Sequence, residues 1–292
     1  MKTCKSTLCV LGFGLALVAA AAANDAPPLT FKFSTIDVPG AIQTFPGGVN
    51  NSGVIAGLYF DASGLEHGYI LNGKKLTTLD DPKGTSTGAH GLNPNGAIAV
   101  VGSYINVKGK QEGFRYKHGK FTDVPGPAGA TISAAFGIND TGEIVGYYVD
   151  STRVQHGFLL KGKTYTTLDV PGAASTFAVG INDTGSVVLQ WVDSKGIYES
   201  ALYDGNTYTT IDVPGAANSS AQGINTAGDI LYGWSDSSGL GHGALLQSGT
   251  YYNFDDPQGV QTYPAGINDR HVIVGSYQAI INAADDGFKA TY

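Results

Sequence analysis

Beyond residue 23 the chain has no cysteine, for Cys4 and Cys9 are the only two in the sequence. The rest of the chain therefore has no disulfide, no thiolate metal site and no thiol nucleophile, and only its core can hold it together. Basic residues are also few. Setting aside Lys2 and Lys5 leaves 15 Lys and Arg against 24 Asp and Glu, a net charge of −9. The 15 are scattered, whereas a phosphate backbone needs a stripe of them, so nucleic acid is excluded as a partner. After residue 23 no apolar run approaches the 18 or so residues that cross a bilayer, which excludes membrane insertion. Helical periodicity is missing, and so are EF-hand, HExxH, G-x-S-x-G and P-loop patterns. What remains is rich in glycine, at 42 residues, as an all-β chain with many tight turns would be.

The first 23 residues read as a leader. Lys2 and Lys5 give a basic start, Leu8 to Ala20 an apolar run, and Ala21-Ala22-Ala23 a small-residue cleavage site. This is the pattern of a secretory signal peptide, which predicts a secreted or periplasmic mature protein beginning at Asn24.

Two signatures then recur six times. Asp-x-Pro begins at Asp37, Asp80, Asp123, Asp169, Asp212 and Asp255, and a Gly-aliphatic-Asn signature ends at Asn50, Asn93, Asn139, Asn182, Asn225 and Asn268. From each Asn to the next Asp-x-Pro is always 30 residues, and from Asp-x-Pro to Asn 13, except 16 in the third copy, which means a repeat architecture over residues 33–292. The copies run at about 33–76, 77–121, 122–165, 166–208, 209–251 and 252–292. Within one copy, turn residues separate four short apolar runs: strand a (Ser175 to Asn182), b (Val187 to Val192), c (Glu199 to Tyr203) and d (Tyr208 to Asp212). Antiparallel four-stranded units repeated radially make a six-bladed β-propeller, here a single domain over 24–292. The last copy stops after strand c, while Thr30 to Asp37 is an unattached strand d. The N-terminal strand should therefore complete the last blade and close the ring. The sequons at Asn50, Asn139 and Asn182 are the repeat turn itself, which leaves Asn218 outside it.

The motifs Gly137-Ile-Asn139, Ile144-Val-Gly-Tyr-Tyr148 and His156-Gly-Phe158 resemble the HAF-family extracellular repeat of bacterial exported proteins. The resemblance spans roughly 33–292 and implies an exported, propeller-like fold. It brings no established reaction or ligand. Three of the six copies depart from it at the histidine, so no role for that residue carries over.

Three sets of residues are candidates for function. The first is a column at the start of strand c: His67, Glu112, His156, Glu199, His242 and Asp286. Counting across the c–d hairpin sets His67 against Asp80, His156 against Asp169 and His242 against Asp255. The same count sets Glu112 against Asp123, Glu199 against Asp212 and Asp286 against Asp37. The plain role of each histidine is partner to its carboxylate. Two carboxylates at that range need one raised pKa, a lysine or a cation between them, unless one turns to solvent. Calcium is the candidate cofactor, at Glu199, Asp212, Asp286 and Asp37. The second set is an aromatic column at the end of strand b: Tyr59, Tyr104, Tyr148, Trp191, Trp234 and Tyr277. It either packs between blades or stacks on sugar rings. The third set is the less regular Phe45, His90, Phe136, Phe177, Gln222 and Tyr263 of strand a, some of which are expected to line the central channel.

Insertions read near Asn106–Gly109, Pro127–Gly129 and Ile280–Asp285 all fall in b–c or d–a loops, which share one face, and loops of one face usually bind. The expectation is thus a monomeric binding module for a glycan or a protein, using that face. The alternatives are a hydrolase or lyase on carbohydrate-like substrates, with His90 or a strand-c histidine as base and Glu112 or Glu199 as acid, and a structural envelope protein. Near-equivalent polar groups in every blade favour binding, because catalysis needs one asymmetric site.

Overall fold

The computed structural model describes residues 28–281 and 283–292, and the leader lies outside them. Six four-stranded antiparallel sheets form the six expected blades, I to VI in chain order of their strand a. Blade IV shows the pattern: strand a is Ser175–Ile181, b Val187–Val192, c Tyr198–Tyr203 and d Tyr208–Thr210. Closure is as expected. Lys32–Ile36 pairs antiparallel with Asp285–Thr291, strand c of blade VI, from Lys32 opposite Thr291 to Ile36 opposite Gly287.

The inner strands are apolar on both faces because each sheet is sandwiched between two others. Strand b of blade II, Ala99–Asn106, buries its first six residues in succession. Six apolar clusters result, one at each junction between blades. At the closing junction Ile36 and Val274 of blade VI meet Val49, Ile55 and Tyr69 of blade I. Within blade III the strands pack so closely that Gly146 has no room for a Cβ, which would strike the Ala134 carbonyl.

Asn182 shows why its turn repeats. Its Oδ1 accepts from the backbone N–H of Thr184 (3.1 Å) and Ser186 (2.9 Å), and Gly185 takes φ of +86° at the corner. The amide nitrogen does something further. Asn139 Nδ2 donates to the Asn182 carbonyl (3.2 Å), Asn182 to that of Asn225 (3.1 Å), Asn225 to Asn268 (3.4 Å) and Asn268 to Asn50 (2.8 Å). In these four copies the repeat Asn therefore caps its own turn and ties its blade to the next, while Asn93 reaches the next blade through Asp140.

Candidate functional site

The b–c and d–a connections emerge together, and the start of strand c lies among them. Strand pairing sets each aromatic of strand b directly across from the strand-c column: Tyr59 from His67, Tyr104 from Glu112, Tyr148 from His156, Trp191 from Glu199, Trp234 from His242 and Tyr277 from Asp286. The two columns are therefore one set of six pairs.

In blades I, III and V the pair is part of a ladder. His67 Nδ1 donates to Asp80 (2.9 Å), His156 Nδ1 to Asp169 (2.9 Å) and His242 Nδ1 to Asp255 (3.0 Å), as the hairpin count requires. Each Nε2 faces a second carboxylate from the b–c loop: Asp61 at 3.5 Å, Asp150 at 3.6 Å and Asp236 at 3.6 Å. Each imidazole also stacks on its aromatic, with centroids 5.1 Å apart for Tyr59, 5.0 Å for Tyr148 and 4.5 Å for Trp234. The loop carboxylates are themselves fixed. Asp61 Oδ1 accepts from Ser63 Oγ and from the backbone N–H of Ser63 and Leu65, which together hold its pKa down to about 2. Burial works against charge on His67, yet its bond to Asp80 and the nearby charges raise its pKa overall. The result is a polar rim with its hydrogen-bond geometry set in advance.

The other three blades differ from one another. The count across the c–d hairpin fails in blade II, where Phe114, not Glu112, lies opposite Asp123. Asp123 is thus diagonal to Glu112, and Tyr104 Oη donates to both, at 2.9 Å to Glu112 and 3.4 Å to Asp123. Lysines neutralise the pair: Lys83 lies 2.7 Å from Asp123 and Lys110 3.1 Å from Glu112. In blade IV the register agrees with the count, and burial followed by the charges of Asp212 and Asp193 raises the Glu199 pKa. In blade VI Asp286 and Asp37 are both exposed to solvent. Among the described residues no group of three or more His, Cys, Asp or Glu side chains is set to hold a metal ion.

The insertion in blade II also needs correction. Its b–c loop is regular, with Asn106 N bonded to the Lys110 carbonyl as Asp61 N is to that of Leu65. The two extra residues lie in the a–b turn, where Asn93 Oδ1 caps Ala99 six residues on, whereas Asn50 caps Val54 four residues on. That turn opens on the opposite face, and Asn95 uses it to reach Asp140 (2.7 Å) on the next blade. The extensions in blades III and VI do lie on the ladder face.

The central channel explains the strand-a set. Every strand a has a bulge three residues before its Asn, as between Ala89 and Gly91 in blade II. A bulge re-aims the extra side chain. Here it turns His90, Phe136 and Gln222 onto the channel, while Phe45, Phe177 and Tyr263 reach it from two residues earlier. His90 stacks on Phe136 (4.7 Å), its Nε2 is 3.1 Å from Ser103 Oγ, and burial lowers its pKa to about 4. Gln111 Nε2 donates to the same Ser103 Oγ (3.0 Å). Successive side chains of a strand point to opposite faces, so Glu112 leaves the sheet on the side away from His90. Glu199 belongs to another blade. His90, Glu112 and Glu199 are therefore not brought together.

The channel holds two cavities of about 550 and 560 Å³, the first toward the Asn turns and the second toward the ladder face. The large apolar side chains left exposed, such as Leu65, Val107, Val154, Ile197 and Ile280, also lie at that face.

No family model matches the chain, and no curated protein matches it. Solved structures do. The SapL1 lectin, in complex with α-methyl fucoside, matches 86% of this chain and 94% of its own at 11% identity and a TM-score of 0.57. AofleA from Arthrobotrys oligospora matches 89% of this chain and 82% of its own at 12% identity and a TM-score of 0.52. The fungal Aleuria aurantia lectin, a six-bladed β-propeller, matches 69% and 72% at 12% identity and a TM-score of 0.43. The likeness is one of fold.

Proposed function

We propose that this protein is an exported carbohydrate-binding module whose ligand meets the face formed by the b–c and d–a loops. The observation that carries the reading is the ladder of blades I, III and V. Each ladder presents a carboxylate, an imidazole, a second carboxylate and an aromatic ring, already hydrogen-bonded and stacked, among exposed apolar loop tips. Sugars are recognised by such mixtures of fixed acceptors, donors and apolar surface. The SapL1 lectin, alike in fold, takes α-methyl fucoside, which supports this choice of ligand class. Six-fold repetition supports a multivalent binder more than a catalyst, since His90, Glu112 and Glu199 do not converge.

Export, a monomeric state and kinship with the HAF-type repeat belong to the same proposal. So does calcium at the Glu199–Asp212 and Asp286–Asp37 pairs, which a rise in melting temperature on adding calcium chloride would support and its absence would remove. A glycan array probed with the mature protein tests the main reading. Binding of neutral glycans, weakened by replacing His67, His156 and His242 together with alanine, is the expected result. An array with no bound glycan would overturn it.

A further inference from the structure

The blades are unequal where the channel meets the ladder face. Three adjoining positions set the difference: the strand-a residue five before the repeat Asn, its partner on strand b, and the first residue of strand c. Blade I fills them with Phe45, Leu58 and Glu66, and blade IV with Phe177, Gln190 and Tyr198. Blade V has Ser220, Gly233 and Gly241. The missing side chains at Ser220 and Gly233 leave a hollow, over which the cavity of about 560 Å³ opens, while the Tyr263 ring closes over Gly241. A Cβ on Gly233 would meet nothing nearer than 3.5 Å, so the space is real and the glycine is not required by backbone contact.

The walls of the hollow are chemically distinct from its floor. Tyr198 of blade IV and Tyr263 of blade VI flank it, 56% and 39% exposed, and Trp234 lies at its edge. Gln190 and Gln222 add amides. Ser276 is 6% exposed and lines the same cavity, which gives a ligand a hydroxyl to meet. No lysine or arginine lines the cavity, which disfavours an anionic ligand.

We infer that this hollow is a single saccharide site, one per chain, which takes a neutral sugar against its tyrosines with hydroxyls on Ser276 and the amides. The inference rests on the carbohydrate reading above and deepens it: the ladders recur in three blades, whereas the three small residues Ser220, Gly233 and Gly241 occur together at these positions only in blade V among the described residues. Aromatic rings match the C–H face of a sugar, and a volume of this size suits a small ligand.

The chain has two tryptophans, so Trp191→Phe leaves Trp234 as the only reporter. That variant is titrated with the methyl glycosides of fucose, galactose, mannose and glucose, by fluorescence and by calorimetry. At least one should change Trp234 emission with a stoichiometry of one. Gly233→Leu gives blade V the residue blade I carries at Leu58, fills the hollow and should weaken binding by roughly tenfold or more. Ser276→Ala, which removes one hydroxyl and keeps the fold, should weaken it several-fold. Binding of three or more sugars per chain with Trp234 silent, unaltered in Gly233→Leu and Ser276→Ala, would overturn the single site and leave the face reading intact. Binding of no glycoside here and of no glycan on the array would overturn both.

Discussion

His67 lies between two carboxylates, and the two ends of its ladder respond to pH in opposite directions. Hydrogen bonds led by Ser63 Oγ take Asp61 from 3.8 to about 2, so its contribution to stability is present above pH 3.8 and is lost as pH falls toward 2. His67 is raised above 6.5, so its contribution is full below that value and fades as pH rises through the folded pKa. The ladder of blade I is therefore strongest between about pH 4 and 6.5. Thermal melts of His67→Gln should show their largest loss in that window and a loss that shrinks as pH rises above it, while Asp61→Asn should flatten the loss between pH 4 and 2. A His67→Gln loss independent of pH would refute the scheme. Asn268 makes a separate point. Its Oδ1 caps the N–H of Arg270 and Val272, and its Nδ2 donates to the Asn50 carbonyl across the ring closure. Asn268→Asp keeps the cap and loses the donor, so it should cost about 2 kcal/mol in urea unfolding. A turn cap alone would predict almost no loss.

At the scale of the blade, copies of one element serve as controls for each other. Blade IV has the loop carboxylate Asp193, the strand-d carboxylate Asp212 and the aromatic Trp191, but Glu199 in the place of histidine. Glu199→His should complete a fourth ladder and replace a like-charge contact with two favourable ones. A gain of about 1 kcal/mol at pH 6 is expected, because the site is partly solvated. Calorimetry should show a melting rise of roughly 2–4 °C that shrinks at pH 9, where only relief of the like-charge contact remains. An unchanged melting temperature at pH 6 would mean that the imidazole of the other blades is not a stabilising partner. Comparison between copies also shows what sequence could and could not reveal. The blade count, the closing strand and three His–Asp pairs follow from spacing, because strand pairing converts residue counts directly into contacts. The change in blade II is masked in the repeat spacing but not in the hairpin. Two residues enter after Asn93 and the Asp-x-Pro motif sits two places earlier on strand d, so the distance from Asn93 to Asp123 is unaltered. The c–d hairpin keeps its register, and Asp123 follows Glu112 by 11 residues where Asp80 follows His67 by 13, which sets it opposite Phe114. The inter-blade bond of Asn139, Asn182, Asn225 and Asn268 was also hidden, since one residue type satisfies both cap and tie. The hollow in blade V was legible as Ser220, Gly233 and Gly241, but only once strand pairing had shown that these positions adjoin.

For the whole molecule the decisive element is the first strand. Lys32–Ile36 supplies the outer edge of blade VI, and Ile36 enters the apolar cluster that joins that blade to blade I. Phe31 and Phe33 reach further, packing on Phe254 of blade V at 4.8 and 6.4 Å, and Phe33 also meets Phe288 at 5.6 Å. One strand thus ties three blades, and the ring is shut by interactions between residues more than 200 positions apart in sequence. A chain starting at Asp37 would keep five complete blades but leave Asp285–Thr291 as a bare edge beside an exposed apolar cluster. Such an edge pairs with other chains. The truncated protein should therefore elute as higher oligomers in size-exclusion chromatography and lose its single cooperative melt, and a peptide of residues 28–38 added in excess should restore both. A shorter cut at Phe31 removes no paired strand residue and should stay monomeric. If the chain starting at Asp37 were monomeric and melted like the parent, the strand would be an ornament, and closure would rest on the ring of Asn268 and its equivalents instead.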